Sequence, residues 1–444
     1  MQRVQQLRPL LPKSMVTFYK DQLVITKGKG QFLYDAQGKE YLDMFAGIVT
    51  VSVGHAHPKV NEALKKQIDT LWHTTSIYHT LPVYEYAQKL TSTLPDHLKV
   101  CFFTNSGSEA NDLAIALARV HTGRFDMLTL RNSYHGMTQT IFGATNLGTW
   151  KQPMPAGFGI LKAMNADPYA GPWGGKNCRD SPCQPRRDCD CGSGPCKASD
   201  KYFDQFAETL KFDFPAASGP AAFLVESIQG VGGTTQFPKG FLKKAFEAVQ
   251  ARGGLCISDE VQTGFGRLGS HFWGFETHDV KPDMVTMAKG IGNGFPMGAV
   301  VTTQAIADSF GKALYFNTYG GNPLASTVGK AVLEVIEEEK LQQNCATVGT
   351  HLMKEIERIE SKLIGDVRGK GLMIGVELIY EQGKPLAAAR MADIFEDIKE
   401  RGVLVGKGGI NGNVLRIKPP MCITKADADR TIDAIAQALK TAKK

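Results

Sequence analysis

Short, continuously apolar runs recur through the middle of this 444-residue chain, and polar or glycine-rich residues follow each of them at once. Strands that are apolar on both sides need cover on both faces of their sheet, which is typical of mostly parallel sheets enclosed by helices. The pattern therefore predicts an α/β fold. The runs are VCFFT (100–104), FDMLTL (125–130), AAFLVE (221–226), GLCISD (254–259) and DMVTM (283–287).

The residues that follow these runs carry most of the chemistry in the sequence. In parallel α/β sheets, ligands bind beyond the carboxyl ends of the strands, so these residues are expected to converge on one edge. Each one alone has an ordinary explanation as a helix cap or a solvated loop residue. Together they predict a cofactor site formed by Ser106, Gly107, Ser108, Tyr134, His135, Glu226, Asp259 and Lys289.

The types of these residues indicate which cofactor would bind. An amine crowded by apolar groups or another cation, as Lys289 would be, loses its proton readily and attacks aldehydes. Asp259 could keep a pyridine nitrogen protonated, the small-residue turn at 106–108 opens a helix whose N–H groups favour phosphate, and Tyr134 offers a ring face. These are the parts that pyridoxal 5′-phosphate requires, and we predict that cofactor.

A competing motif, GFGRLG (264–269), matches the G-x-G-x-x-G fingerprint of dinucleotide-binding proteins. The residues 259–263 separate it from the preceding strand, and the following SHFWGFETH is not a helix of small residues. The context therefore argues against a nicotinamide cofactor.

The length favours more than one domain. We predict an N-terminal arm at 1–65, a large cofactor-binding domain at 66–324, and a smaller α+β domain at 325–444 against which the arm packs. Residues 32–47 of the arm have the pattern of a hairpin. In the smaller domain, helical patterns at 326–340 and 388–401 precede a last helix, at whose start Thr424 and Asp427 have capping-box spacing.

Charge and hydropathy exclude several classes of partner. The net charge of +7 is mild for this length and the basic residues are dispersed, which suits phosphate-bearing small molecules better than nucleic acid. No apolar run approaches the roughly 18 residues that a membrane span needs. The first twenty residues are an ordinary arm or the remnant of a mitochondrial presequence, since their charged side chains are all basic: Arg3, Arg8, Lys13 and Lys20.

Five of the nine cysteines lie in a short insertion at 176–198. Its glycines, prolines and charges predict an exposed loop. The pairs Cys178/Cys183 and Cys191/Cys196 have four intervening residues, which is the loose limit of zinc-ribbon spacing. A metal or redox role stays as the alternative to a loop without chemistry, and we predict no metal in the active site.

A set of longer motifs occurs along the chain: GIVTVSVGHAHP, TNSGSEAND, YHG, GPWGG, ESIQG, DEVQTGFGRLG, MAKGIGNGFPMGAV, NTYGGNP and LRIKPP. From about Leu23 to the C-terminus it resembles the class-III aminotransferases, which are fold-type I pyridoxal phosphate enzymes. The resemblance implies a large domain with a mostly parallel, seven-stranded type of sheet between helices, a smaller α+β domain, and transaminase activity. It is most similar to the mitochondrial alanine–glyoxylate group of that class.

The resemblance also implies roles for individual residues. Lys289 would bond to the cofactor and move the substrate's Cα proton, Asp259 would pair with the ring nitrogen, and Gln262 would bind the ring oxygen. Arg416 would clamp the substrate α-carboxylate, and Thr318 would reach the cofactor phosphate of a neighbouring subunit. The chain would then form a homodimer, or a dimer of dimers, with shared active sites. The other implied cofactor contacts are Ser106, Gly107 and Ser108 at the phosphate, and Tyr134, His135 and Glu226 around the ring.

One departure from the class bears on the substrate. Many ω-aminotransferases read EPIQGE, where the second glutamate can mask the carboxylate-binding arginine, whereas this chain has Ser227 and Val231 in ESIQGV. The resemblance therefore favours ping-pong transfer from L-alanine, or a β-amino acid such as 3-aminoisobutyrate, to glyoxylate or pyruvate, in mitochondria. An ornithine- or 4-aminobutyrate-type transaminase and a pyridoxal phosphate-dependent phospho-lyase remain the alternatives.

Overall fold

The computed structural model describes residues 2–15, 17–155, 157–191 and 195–442. The strands in chain order are β1 (Ile25–Lys29), β2 (Phe32–Asp35), β3 (Glu40–Asp43), β4 (Val100–Thr104), β5 (Met127–Leu130), β6 (Ile160–Ala163), β7 (Ala222–Glu226), β8 (Leu255–Asp259), β9 (Met284–Met287), β10 (Gly298–Thr302), β11 (Ile364–Lys370), β12 (Met373–Leu378), β13 (Val403–Leu404), β14 (Gly406–Gly408) and β15 (Val414–Ile417).

The α-helices connect these strands and cover the sheets. They are α1 (Gln2–Leu7), α2 (Ala46–Val49), α3 (Pro58–Ile68), α4 (Leu81–Thr91), α5 (Gly107–Thr122), α6 (Lys197–Phe212), α7 (Phe241–Ala251), α8 (Gln304–Phe310), α9 (Pro323–Glu338), α10 (Leu341–Glu357), α11 (Ala388–Glu400) and α12 (Lys425–Thr441). Within the described ranges, no helix combines the length and the apolarity needed to cross a bilayer.

A seven-stranded sheet in the order β4-β10-β9-β8-β7-β5-β6 forms the centre of the molecule. Strand β10 is antiparallel to both of its neighbours, and the other pairs are parallel. Each of the five apolar runs forms a strand, as predicted. The predicted α/β class is therefore confirmed, and the carboxyl ends of β5, β7, β8 and β9 lie along one edge.

Helices cover both faces of this sheet, which explains why its strands are apolar throughout. Successive side chains of a strand point to opposite faces. In β7, Phe223 and Val225 enter the core that contains the apolar face of α7. Ala222 and Leu224 enter a second core, which contains the apolar face of α5.

The segments directly after the strands differ in structure. The segment after β4 continues as the helix α5, whereas the segments after β5, β7 and β8 (NSYHGM, SIQGVGG and VQTGFGR) begin as turns. Turns at these points leave backbone groups and side chains at the sheet edge free to bind a ligand.

Two four-stranded sheets lie outside the central one. In the first sheet, β2 and β3 form the predicted hairpin, which is therefore confirmed. Strand β3 also pairs in parallel with β13. This pairing joins the N-terminal arm to the C-terminal part of the chain, for example through the 2.9 Å hydrogen bond from Leu42 N to Gly402 O. The second sheet is antiparallel, in the order β11-β12-β15-β14. The domain boundaries themselves stay predictions.

The predicted C-terminal helices are present with small shifts in their bounds. Helix α9 occupies the 326–340 pattern and α11 the 388–401 pattern, and α10 is a further helix between them. At the start of α12, Oγ1 of Thr424 accepts from Asp427 N, and Asp427 accepts from Thr424 N in return. The predicted capping box is therefore confirmed.

The prediction of an exposed cysteine-rich insertion holds for part of the segment, such as residues 186–188, and is wrong for the residues that carry its packing. Cys178 and Arg179 are buried, and the Arg179 guanidinium donates two 2.8 Å hydrogen bonds to the carboxylate of Asp366 in β11. Arg368 donates to the same carboxylate at 3.0 Å. Burial alone would raise the pKa of Asp366, but these guanidinium groups lower it. The insertion is a packed element because a buried arginine is tolerated when its donors are paired.

Candidate active site

The N-terminus of α5 and the turn at 134–137 together form an open backbone cradle. Ser106 caps the helix, its Oγ accepting from Glu109 N at 3.2 Å. A Cβ at Gly107 would lie 3.2 Å from both methyl groups of Val261, and one at Gly136, whose φ is +136°, would lie 2.9 Å from Ser108 Cα. Glycine at both positions keeps the helix N-terminus accessible, and such a terminus favours a phosphate group.

Asp259 ends β8 as a buried carboxylate whose orientation is fixed on both oxygens. Its Oδ2 accepts from Nδ2 of Asn111 at 2.8 Å and from Nδ1 of His135 at 2.7 Å, and its Oδ1 accepts from Val261 N at 3.1 Å. A fixed, buried carboxylate fits the protonated nitrogen of a pyridine ring.

Asn111 is a site residue that the sequence reasoning missed. Its Oδ1 accepts from Oγ1 of Thr286 at 2.6 Å, and its Nδ2 also donates to the carbonyl of His135 at 2.8 Å. It therefore connects α5, β9 and the 134–137 turn to the carboxylate of Asp259. The available signal was its position four residues after Gly107, which places both on one face of a helix.

Glu226 ends β7 and holds two neighbouring loops. Its Oε1 accepts from Tyr134 N at 3.0 Å, and its Oε2 accepts from Gly230 N at 2.7 Å. Burial raises the pKa of Glu226. The half-buried ring of Tyr134 packs edge-on against Trp150, with 5.3 Å between centroids. The main contacts of Glu226 are therefore with the backbone that positions Tyr134.

Lys289 follows β9 and lies among the other charged groups of the edge. Burial, the largest effect, lowers its pKa to about 8; the charge of Asp259 opposes this and that of Arg416 adds to it. The backbone of Lys289 has φ +52°, in the left-handed region that residues other than glycine seldom adopt. Such strain often occurs at functional sites.

Arg416 in β15 is buried and reaches the same edge. Its Nη2 donates to Oε1 of Gln262 at 3.1 Å, and its guanidinium carbon lies 5.2 Å from the ring centroid of Phe45. Its Nε is buried and has no hydrogen-bond partner within the described ranges. Burial lowers the pKa of Arg416 to about 10, so it stays charged at neutral pH.

Lys418 is a second buried basic side chain here, and the sequence reasoning missed it. Its Nζ donates to the same Oε1 of Gln262 at 3.1 Å and to Gly230 O at 3.3 Å. Burial lowers the pKa of Lys418 well below its usual range, and the charge of Arg416 lowers it further. The sequence feature that could have identified Lys418 is its position two residues after Arg416, since alternate residues of an extended segment lie on one face.

Thr318 differs in its exposure from the other predicted site residues, which are buried or half-buried. It is exposed in a single chain, and large apolar side chains near it are exposed too, among them Leu314, Phe316 and Tyr319. Its neighbour Asn317 accepts from Nδ2 of Asn105 at 3.1 Å, which places this segment near the start of α5.

A lysine of lowered pKa, a fixed carboxylate and an open helix N-terminus meet at the carboxyl edge of a mostly parallel sheet. With this fold they define an enzyme of the fold-type I group, whose cofactor is pyridoxal 5′-phosphate. The model of the family "Aminotransferase class-III" matches residues 16–439. The chain therefore belongs to the class-III aminotransferases and is a transaminase that uses this cofactor.

Curated relatives and solved structures agree with this assignment. The chain is 52% identical over 430 residues to human mitochondrial alanine–glyoxylate aminotransferase 2, covering 96% of this chain and 83% of the relative. It is 44% identical to an Arabidopsis thaliana mitochondrial homologue of that enzyme, covering 96% and 85%. Among solved structures, it is similar to a phospholyase from Arthrobacter in complex with phosphoethanolamine, with TM-score 0.89, 34% identity and 99% and 100% coverage. An amine transaminase from an uncultivated Pseudomonas species has TM-score 0.87, 28% identity and 97% and 98% coverage.

The lowered pKa of Lys289 predicts how cofactor attachment depends on pH. Only the neutral amine attacks an aldehyde, so the attachment rate to cofactor-free protein should rise about tenfold per pH unit below the pKa of about 8 and level off above it. Stopped-flow absorbance after mixing with pyridoxal phosphate measures this rate. A free lysine side chain, whose pKa is about 10.4, is the control, and its rate should still rise above pH 9. A plateau for the protein only near pH 10 would contradict the prediction.

Proposed function

We propose that this enzyme transfers the amino group of L-alanine, or of a β-amino acid such as 3-aminoisobutyrate, to glyoxylate or pyruvate. The observation that carries the proposal is the buried guanidinium of Arg416, whose Nε has no partner within the described ranges and whose charge affects Lys289. An arginine in this position suits a substrate whose carboxylate is close to its amino group. The names of the relatives from human and Arabidopsis support alanine and glyoxylate among these substrates.

The proposed mechanism assigns a role to each residue at the edge. Bound pyridoxal phosphate supplies a ring that takes up the electron pair left when the substrate's Cα–H bond breaks. Lys289 Nζ accepts that proton as a general base, and the lowered pKa keeps a fraction of it neutral near pH 7. Asp259, held by Asn111 and His135, presents its negative charge to the ring nitrogen. Arg416 holds the carboxylate and so orients the Cα–H bond toward Lys289.

Other residues complete the proposed cofactor site. Ser106, Gly107 and Ser108 would hold the phosphate at the start of α5. Tyr134 would stack on the ring, and Gln262 would use its Nε2 amide to bind the ring oxygen, because its Oε1 accepts from Arg416 and Lys418.

The two half-reactions can be tested directly by visible absorption. Purified protein carrying the cofactor should lose its yellow absorbance on addition of L-alanine and regain it on addition of glyoxylate. Mass spectrometry of the small molecules should then find pyruvate and glycine. A yellow protein that L-alanine leaves unchanged would overturn the proposed donor while keeping the cofactor assignment.

Substitution Arg416→Gln tests how the substrate is recognised. It removes a buried charge that would pair with the carboxylate, which costs about 2–5 kcal/mol in such pairs. We expect kcat/KM for L-alanine to fall by about 10²-fold or more, mainly through KM. Ethylamine, which is alanine without its carboxylate, is the matched control for the half-reaction. An equal loss with ethylamine would show that Arg416 does not bind the carboxylate.

A phospho-lyase is the second candidate, and one observation favours it. Arg416 and Lys418 both donate to Oε1 of Gln262, so a buried guanidinium and a buried amine lie close together, and both could donate hydrogen bonds to a phosphate group. The similarity to the phosphoethanolamine-bound Arthrobacter enzyme points the same way. Release of inorganic phosphate from phosphoethanolamine, without amino transfer, would favour this candidate over the transaminase substrates.

The ornithine- and 4-aminobutyrate-type alternatives receive less support. Val231, with its apolar side chain, cannot mask Arg416 by an ion pair as a glutamate could. Its backbone carbonyl accepts from Gly409 N at 3.1 Å, so its position is defined by the loop before β15.

We propose further that the enzyme is a mitochondrial homodimer, or a dimer of dimers, with shared active sites. A second subunit would cover the exposed apolar side chains around Thr318 and bring that hydroxyl to the partner's cofactor phosphate. The names of the relatives support the mitochondrial location. Sedimentation equilibrium would measure the assembly, and a stable monomer with full activity would contradict it.

A further inference from the structure

In the insertion at 176–198, four cysteine sulfurs lie next to one another in a connected group. The Sγ atom of Cys178 lies 3.2 Å from that of Cys189 and 3.7 Å from that of Cys191. The Sγ atom of Cys191 lies 2.9 Å from that of Cys189 and 4.0 Å from that of Cys196. The three sulfurs of Cys178, Cys191 and Cys196 are all within 4.8 Å of one another. These distances exceed the roughly 2.05 Å of a disulfide bond, and all four residues are free cysteines.

We propose that this four-cysteine cluster, made of Cys178, Cys189, Cys191 and Cys196, binds a structural zinc ion. Tetrahedral zinc with Zn–S bonds of about 2.3 Å places its ligand sulfurs about 3.8 Å apart. The observed separations lie on both sides of that value. Four thiolates without an open position are the ligand set of structural rather than catalytic zinc. On binding, the four thiols release their protons to solvent, and the complex carries two negative charges.

The surroundings of the cluster carry charges of both signs, because the carboxylate of Asp190 lies 3.9 Å from the Cys189 sulfur while a helix N-terminus and two lysines are also close. Cys196 directly precedes α6, a helix of 16 residues whose positive N-terminal end faces its backbone. Two nearby lysines form ion pairs with aspartates that lie next to the ligand cysteines in the sequence. Lys176 Nζ lies 3.0 Å from Asp188, and Lys197 Nζ lies 3.8 Å from Asp190.

The ligand set differs from the pairs that the sequence spacing indicated. Cys183 is buried, but within the described ranges its sulfur is not part of the cluster. Its carbonyl instead accepts from Nε of Arg179 at 3.2 Å. Cys189 takes its place, because the chain between Cys178 and Cys189 folds back on itself. Cys183 is thus a natural control, a cysteine of the same insertion outside the proposed site.

The position of the cluster indicates what the ion would do. Cys178 is followed by three residues that contact β11 or the segment before α7. Arg179 pairs with Asp366, Asp180 O accepts from Nε2 of Gln236 at 2.8 Å, and Ser181 Oγ donates to Gly369 O at 2.9 Å. Zinc would fix the first residue of this segment to the start of α6. The ion would therefore hold the insertion between the central sheet and the smaller antiparallel sheet.

Elemental analysis of the full-length protein, purified with its cofactor from zinc-containing medium, tests the site. We expect about one zinc ion per chain in the wild type and in Cys183→Ser, and a large loss in Cys191→Ser and Cys189→Ser. Trypsin should cleave metal-depleted wild type faster after the exposed Arg186 and Arg187, and added zinc should restore resistance. The proposed substrates do not enter these measurements, so failure of one proposal is distinguishable from failure of the other.

A spectroscopic measurement on the wild type keeps the proposal testable if a serine variant does not fold. Cobalt bound to metal-depleted protein should give the intense long-wavelength bands of a tetrahedral thiolate site, and zinc should abolish them. Octahedral cobalt spectra, equal zinc content in Cys191→Ser and wild type, iron instead of zinc, or a mass showing an internal disulfide in place of metal would each overturn the zinc site.

Discussion

Lys289→Ala should reduce kcat for transamination by at least about 10³-fold, since general acid–base catalysis alone contributes 10²–10⁴-fold and covalent attachment of the cofactor is lost as well. The structure places this side chain among Asp259, Glu226 and Arg416, and burial lowers its pKa to about 8, so a fraction of the amine is neutral near pH 7. Steady-state assays with L-alanine and glyoxylate measure the loss.

The variant should still bind the cofactor, because Asp259 and the phosphate-binding residues at the start of α5 are unchanged. Gel filtration followed by absorbance would show cofactor bound without a covalent link, and borohydride treatment would label the wild type but not the variant. Lys281→Ala is the matched control, because this exposed lysine precedes the same strand β9 and touches no part of the site. Added methylamine should restore part of the activity of Lys289→Ala. Wild-type turnover by the variant would refute the assignment of Lys289.

The central fold could be predicted from sequence because its strands are buried on both faces. Such strands need continuous apolar runs, and five of them were recognised as β4, β5, β7, β8 and β9. Strand β6 is a four-residue edge strand with an intermediate burial pattern, so its sequence carries little signal. Strand β10 has the apolar sequence GAVVT and is buried at every residue, so its local signal was present and was missed, whereas its antiparallel direction has no local signal. Their places follow from tertiary pairing, which a single sequence does not show.

The site residues that could be predicted from sequence are those that end a strand or directly follow one. Asn111 and Lys418 were missed because each lies within an element whose pattern already had an explanation, a helix and an extended segment. The burial of the insertion was missed for a different reason. It depends on the pair between Arg179 and Asp366, which are 187 residues apart, and no local pattern predicts such a contact.

Asp259→Asn should have the second largest effect on catalysis. The substitution keeps the size of the side chain and one acceptor oxygen but removes the negative charge that would hold the ring nitrogen protonated. Without that charge, the ring takes up electrons from Cα less readily. We expect kcat to fall by about 10²–10⁴-fold, with a smaller change in the affinity for the cofactor.

Two comparisons separate this electrostatic role from a structural one. Asp283→Asn is the matched control: this carboxylate precedes β9, accepts from Cys256 N at 2.7 Å, and lies at the opposite end of the strands from Lys289. It should leave kcat nearly unchanged. A cofactor analogue methylated on the ring nitrogen carries a permanent positive charge, so it should raise the activity of Asp259→Asn relative to pyridoxal phosphate and not that of wild type. If the analogue gives no gain while thermal unfolding shows a large loss of stability, Asp259 acts through the Asn111–His135 network as a structural group, because a charge supplied on the ring could not replace lost hydrogen bonds.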